Sequence, residues 1–180
     1  MTRSSLDQLR ERFETQLQQA VASLSWEGRL KEAISYAVSG GGKRIRPLFL
    51  LAMLCDLAGE PSDTHFRLAA SLELLHTASL IHDDLPALDN DDLRRGRATV
   101  HRAFDEPTAL LAADLMVPAA IAWCLEIGAL SHQQRTQLSL VLATAYADVC
   151  HGQMLDCAIT EASSRQELLE VHRYKTSALY

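Results

Sequence analysis

Apolar residues recur along this chain at spacings of three and four, and strict apolar/polar alternation is absent, so the pattern predicts helices from end to end. Leu6, Leu9, Phe13, Leu17, Val21 and Leu24 form one stripe, opened by Ser5 with Gln8 three residues on as a capping box. A second helix is predicted from about Glu27 to Val38, stopped by the glycines at 40, 41 and 42. Pro47 starts a third, "PLFLLAMLCDLAG", ending at Gly59; it is apolar on nearly every side, which predicts burial all round. A fourth runs from Asp63 to about Asp84 on the stripe Leu68, Leu72, Leu75 and Ser79. After a connection of about twenty residues, helices are predicted at roughly 107–127, kinked or broken at Pro118, and from His132 to about Ile159. The last opens on a second capping box, Ser164 and Glu167, and continues to Tyr180 without glycine, proline or a polar tail. No internal repeat or low-complexity linker interrupts the pattern. The fold class that follows is all-α, a helix bundle around a central space.

Composition bounds the possibilities. With 180 residues, 48% of them hydrophobic, the chain can bury one core, and one domain is expected over 1–180. A net charge of −6 argues against a general nucleic-acid or anionic-membrane binder, which needs a broad positive field. Cys55, Cys124, Cys150 and Cys157 form no CxxC pair and sit in apolar surroundings, so they read as reduced core thiols of a cytoplasmic protein, although Cys150 and Cys157 could share a helix face. The first residues carry no apolar leader, and the most apolar stretch, 109–125, is interrupted by Asp114 and Pro118; no export signal or membrane span is expected.

The unusual feature is the long connection itself, "HDDLPALDNDDLRRGR" from His82 to Arg97, with five aspartates in ten residues and three arginines close behind. A loop that long in a compact helical domain is usually functional. Asp83 and Asp84 would close a helix at its C-terminal end, where the macrodipole disfavours negative charge, so structure alone would not select them. A divalent cation would remove that conflict, because Mg²⁺ takes one or two carboxylates together with substrate phosphate oxygens. Pro86 breaks the helix, and the turn can bring Asp89 back towards Asp83. His76 and Asp83, seven apart, project from one helix face about 10 Å apart. By itself an aspartate-rich turn is more often a solvated loop, and His76 or Lys175 a boundary histidine or surface lysine. The company changes that reading: "GGGKRIRP" supplies Lys43, Arg44 and Arg46, and "LRRGR" supplies Arg94, Arg95 and Arg97, six of the 17 basic residues in two short segments. Arginine forks and metal-bridged carboxylates together describe a site for two diphosphates. The glycine run is not a P-loop, since no GxxxxGK[ST] is present.

The ordered set "GGGKRIRP", "LELLHTASLIHDDLPALDNDDLRRGRATVHRAF", "GQMLD" and "YKTSAL" resembles the first half to two thirds of a trans-prenyl diphosphate synthase of the polyprenyl synthetase family, similar to bacterial farnesyl and geranylgeranyl diphosphate synthases. The resemblance runs from about Gly40 to Tyr180. It implies an isoprenoid synthase fold, an antiparallel helix bundle around a cavity, in an incomplete version. It also implies a Mg²⁺-dependent condensation of isopentenyl diphosphate with an allylic diphosphate, and a homodimer. On that resemblance Asp83, Asp84 and Asp89 form the first aspartate-rich motif and hold the metal. Lys43, Arg46, His76 and Arg95 hold isopentenyl diphosphate. Arg94, Lys175 and Thr176 face the allylic diphosphate, with Gln153 and Asp156 beside it. Asp91, Asp92 and Arg97 are read as solvated or structural, and Asp114 as the partner of a helix end or a buried base.

Two departures from the family pattern matter. Family members carry a second aspartate-rich motif well downstream of the lysine and threonine that match Lys175 and Thr176, and no such motif lies within these residues, which reads as the N-terminal portion of a longer enzyme, expected by itself to ionise the allylic substrate poorly or not at all. The family's product-length floor falls on Ala78 and Ser79, both small here, which leaves farnesyl and geranylgeranyl products equally open. A catalytically silent subunit that pairs with a full-length synthase is the alternative; a terpene cyclase would share the aspartates but has no use for the Lys43, Arg46, His76 and Arg95 set.

Overall fold

The computed structural model describes residues 3–180, so Met1 and Thr2 lie outside the description. Among the described residues eight α-helices follow one another: α1 (Arg3–Ala22), α2 (Arg29–Val38), α3 (Ile45–Ala58), α4 (Asp63–Asp83), α5 (Val100–Ala103), α6 (Glu106–Leu125), α7 (His132–Asp156) and α8 (Arg165–Val171). The α1 stripe is buried at Leu9, Phe13, Leu17, Val21 and Leu24. The helix begins at Arg3, so Ser5 lies inside its first turns instead of capping it. Once the stripe is packed, extending the helix by a few residues costs little, whereas nucleating it does not.

The centre of the bundle is α4 against α6. Both present small residues to the contact, Ala69, Ala70 and Ala78 from α4 and Ala109, Ala112, Ala113, Ala119 and Ala120 from α6, all essentially buried. Leu74, Leu75 and Met116 fill the space between, and truncating one of these leucines to alanine would cost about 2–5 kcal/mol. Pro118 does not break α6, which runs on to Leu125 with Asp105 capping its start by accepting from the Thr108 amide. Contrary to the expectation from Asp114 and Pro118, α6 is long and apolar enough to cross a membrane, with mean hydropathy 1.8 over its most apolar window. Half of that window is buried inside the bundle, as in a core helix.

Burial of α3 all round is corrected. Leu48 and Leu51 are buried, but Ile45, Phe49, Met53 and Leu57 stand 51%, 53%, 48% and 80% exposed, one stripe at every fourth position. The helix packs on α1 and α4 by one side only.

The connection from Asp84 to Asp105 has structure of its own. Leu93–Arg94 (β1) pairs antiparallel with Arg97–Ala98 (β2) in the register Leu93↔Ala98, Arg94↔Arg97. The turn between them is Arg95-Gly96 with both φ positive, 54° and 77°, which is the two-residue hairpin turn that follows the strands' own twist. At the other end of the chain the predicted terminal helix changes pitch. After α8, properly opened by the Ser164/Glu167 box, His172–Thr176 winds as a π-helix and Ser177–Leu179 as a 3-10 turn. The thiols also differ from expectation: Cys124 is buried and Cys55 half-buried, but Cys150 and Cys157 are exposed, and all four are free.

Candidate active site

Asp83 is the last residue of α4 and Asp84 its C-cap, so two carboxylates stand where the helix already presents unpaired carbonyls. Two basic groups resolve the conflict. Arg94 Nε donates to both Asp84 oxygens at 2.7 and 2.9 Å, and its terminal nitrogen lies 3.3 Å from Asp83 Oδ2. Lys175 Nζ donates to Asp83 Oδ1 at 3.1 Å and to Asp156 Oδ2 at 2.6 Å, joining α4, α7 and the π-turn. Burial pushes the Asp84 carboxyl up while Arg94 opposes that push. The Asp89 amide donates to the Asp83 carbonyl at 3.0 Å, with Asn90 held at φ 53° behind it, so the turn after Pro86 does bring Asp89 back beside Asp83. Partial burial and then the neighbouring Asp83 charge push the Asp89 carboxyl up. The three carboxylates do not share one cavity: Asp83 lines a cavity between α4 and α7, whereas Asp84 is turned to Arg94 with 5% of its side chain exposed.

A second region is basic. Lys43, Arg46, His76 and Arg95 line an open cleft of about 560 Å³ together with Gly40, Gly42, Arg44 and Glu73. Its scaffold is Arg44, left-handed at φ 50° and 4% exposed. Arg44 donates to Glu73 at 2.6 Å, to Glu14 at 2.8 Å and to the Val38 carbonyl at 2.6 Å. The hairpin tip is fastened to the glycine loop by a bond from the Arg95 guanidinium to the Gly41 carbonyl. His76 Nε2 lies 3.3 Å from Arg46. Burial and then the charges of Arg46 and Arg95 lower His76 to about 3, so at neutral pH its ring is uncharged. It can add a hydrogen bond to this cleft, but not a positive charge.

Between the two regions lies a cavity of about 390 Å³, walled by α4, α7 and the C-terminal π-turn. Arg46, His76 and Ser79 line one side and Tyr146, Gln153, Lys175 and Thr176 others, with Leu80, Leu88, Val149 and Leu179 supplying apolar wall. Two donors of residues that line it, Arg46 Nε and Gln153 Nε2, are buried with no partner among the described residues. Ser79 reaches the cavity; Ala78, one residue earlier, is fully buried on the core side. The outer thiols Cys150 and Cys157 both border it, on one face of α7.

The structure thus brings together Asp83, Asp89, Arg94, Lys175 and Asp156 at one end, and Lys43, Arg46, His76 and Arg95 at the other. Asp114, expected to meet a buried base, lies 3.2 Å from His82 Nε2, and His82 Nδ1 lies 3.3 Å from the Tyr146 hydroxyl. Reading the sequence missed Glu73, Glu14 and Tyr146. Glu73 had a signal, an acid three residues before His76 on an otherwise apolar face. Among the described residues no three His, Cys, Asp or Glu side chains converge as a ready metal cage. Asp83 and Asp89 nonetheless fit a hard divalent cation completed by phosphate oxygens, because their like charges press on one another where such an ion would relieve them.

Residues 27–180 match the polyprenyl synthetase family. The farnesyl diphosphate synthase of Micrococcus luteus is 44% identical over 156 residues, covering 85% of this chain and 53% of that protein. Among solved structures, the geranyltransferase of Legionella pneumophila superposes with a TM-score of 0.92 at 38% identity, over 98% of this chain and 64% of that one. The geranyltransferase of Helicobacter pylori, solved with magnesium and isoprenyl diphosphate, superposes at a TM-score of 0.88 and 33% identity, over 99% of this chain and 62% of that one. The chain therefore spans about half to two thirds of the length of the relatives it matches.

Proposed function

The chain belongs to the polyprenyl synthetase family, and from that premise we propose that it carries the two diphosphate sites and the first metal motif of a short-chain prenyl diphosphate synthase. The reaction would condense isopentenyl diphosphate with dimethylallyl, geranyl or farnesyl diphosphate to give farnesyl or geranylgeranyl diphosphate. The observation that carries the reading is the pair of buried, unpartnered donors, Arg46 Nε and Gln153 Nε2, on the wall of a cavity with carboxylates at one end and arginines at the other. Buried donors are almost always paired in a folded protein, and a diphosphate would supply the acceptors.

In this reading Lys43, Arg46, Arg95 and neutral His76 bind isopentenyl diphosphate directly. Asp83 and Asp89, with Asp84 behind them, would hold Mg²⁺, which supplies positive charge to the departing diphosphate. Arg94, Lys175 and Thr176 would take the remaining charge of that group, and Gln153 and Asp156 would orient it. The apolar wall of Leu80, Leu88, Val149 and Leu179 keeps water from the allylic cation. Ser79, facing the cavity, would set how long the growing chain becomes, and Ala78 would act only through the core. A second copy of the chain is the proposed cover for the outer face of α6, where Leu110, Leu111 and Leu125 are exposed.

The test is incubation of the purified protein with labelled isopentenyl diphosphate and each allylic diphosphate, with and without Mg²⁺, and separation of products by chain length. Magnesium-dependent products of fifteen or twenty carbons are the expected result. Binding of pyrophosphate without any turnover would reduce the reading to a diphosphate-binding domain, and failure to bind it would remove the reading altogether.

A further inference from the structure

Gly152 is the one glycine in α7, buried three turns after Val141 and one turn before Asp156. A helix interior normally disfavours glycine by about 1 kcal/mol against alanine, so its presence asks for a local reason. The reason is on its face. A Cβ at position 152 would come to 2.5 Å from the Tyr174 carbonyl carbon and 2.6 Å from Lys175 Cα, and closer still to the Lys175 amide nitrogen. All three are backbone atoms, so no side chain can swing aside to make room.

What presses against Gly152 is the π-helix His172–Thr176, a winding that is rare and tends to occur where a helix is bent to a functional purpose. The residues on either side fit the same contact. The ring of His151 meets the ring of Tyr174 edge-on at 4.9 Å. Asp156, four residues after Gly152 and so on the same helix face, accepts from Lys175 Nζ at 2.6 Å. The backbone of Lys175 therefore rests on one α7 position and its ammonium reaches the position one turn along, with Asp83 completing the grip at 3.1 Å. Hydrogen bonds to Asp156 and Asp83 raise Lys175 against the opposing pull of burial, so it stays an ammonium.

We infer that Gly152 and Asp156 form a two-point seat on α7 that fixes where Lys175 stands at the mouth of the cavity, Gly152 by admitting the π-turn's backbone and Asp156 by holding the ammonium. Gly152 is then a positioning residue, acting only through Lys175. Its chemical purpose rests on the proposed diphosphate site, but the seat itself is a statement about geometry. Any side chain at 152 lifts the π-turn and carries Lys175 away from Asp83, even though position 152 touches no reacting group.

The experiment reads Lys175 directly. The chain has three lysines, Lys31, Lys43 and Lys175, so peptide mass mapping after brief amine acylation gives all three rates at once. In the wild-type protein Lys175 should react slowly beside exposed Lys43. In Gly152→Ala the Lys175 rate should rise about fivefold or more while Lys31 and Lys43 stay constant. An unchanged Lys175 rate in folded Gly152→Ala protein would overturn the seat. Should that variant not fold, Asp156→Asn serves: it leaves the backbone contact and loosens only the head, so a smaller rise is expected, and no rise would again overturn the seat. The second readout is calorimetric binding of inorganic pyrophosphate with Mg²⁺. Gly152→Ala and Lys175→Met should each weaken it about tenfold, and the double variant should be no weaker than Lys175→Met alone. Additive losses would mean that Gly152 acts by some other route and would also overturn the inference. A wild-type protein that binds no pyrophosphate, with the labelling result as expected, would sink the proposed function and leave the seat standing.

Discussion

The two charged ends of the cavity are built on opposite plans. The basic cleft owes its shape to a buried pair, Arg44 with Glu73, whose side chains are 2% and 3% exposed, and Lys43, Arg46 and Arg95 at the opening form no ion pair among the described residues. The acidic end has no such internal frame. Asp83 is satisfied by Arg94 and Lys175, side chains 30% and 25% exposed, which are themselves the groups proposed to meet the allylic diphosphate. One end is thus preformed, whereas the other is neutralised by partners that the proposed metal and diphosphate would have to displace. The difference teaches that binding at the basic cleft should need no metal and little rearrangement, while binding at the acidic end should be an exchange of one set of ionic contacts for another.

The largest effect should come from taking away the frame. Arg44→Ala leaves the Glu73 carboxylate buried without its partner, and burial already pushes that carboxyl up. Breaking a buried pair in this way typically costs about 3–5 kcal/mol. Urea denaturation should show that loss, and the paired replacement Arg44→Met with Glu73→Leu should recover most of it, because the apolar pair needs no counter-charge. A loss under about 1 kcal/mol for Arg44→Ala would mean that the cleft is held by something else. Next is the acidic end itself. Asp83→Ala should lower Mg²⁺-dependent turnover roughly a hundredfold to a thousandfold while leaving the urea midpoint nearly unchanged, since Arg94 keeps Asp84 and Lys175 keeps Asp156 as partners. Stability lost in step with turnover would erase the contrast between the ends. Smaller again, Arg46→Ala should weaken isopentenyl diphosphate binding about tenfold to a hundredfold, with or without Mg²⁺ in the titration. An effect seen only with Mg²⁺ present would place Arg46 with the other diphosphate.

Most of the frame was legible because it is local. The α1 stripe, the Ser164/Glu167 box and the glycine stop after α2 each lie within a few residues of what they determine, and the turn that returns Asp89 to Asp83 follows from Pro86 alone. What could not be read is either long-range or featureless. Lys175 meets Asp83 across 92 positions, and Arg44 meets Glu14 and Glu73 across about thirty each, so no spacing in the chain announces them. The exposed side of α3 escaped for the second reason: a helix apolar all round carries no information about which face its neighbours cover. The π-turn was hidden because "VHRYKT" has ordinary helical residues, and the place its backbone packs against lies in another helix, at Gly152. Ala78 and Ser79 are adjacent in the chain but on different sides of α4, which is why a floor expected from both reaches the cavity from one.

The finest test of the contrast is its pH dependence, because the two ends should bend the stability curve in opposite senses. His76 in the basic cleft is lowered from 6.5 to about 3, so between those values the unfolded chain holds a proton that the folded one does not. Stability then falls as pH drops through that window, by at most about 1.4 kcal/mol per pH unit. Asp84 and Asp89 are raised by burial, so the folded state holds their protons longer, and stability from those groups falls as pH rises through their titration. Thermal melts below pH 6.5 should show a destabilisation on acidification in the wild-type protein that is smaller in His76→Gln. Saturating pyrophosphate without metal should shrink the same slope, because a polyanion in the basic cleft raises the His76 pKa back towards its unfolded value. If pyrophosphate left the His76 slope intact, the anion would not be entering the cleft lined by Lys43, Arg46 and Arg95, and the preformed end of the cavity would have to be sought elsewhere.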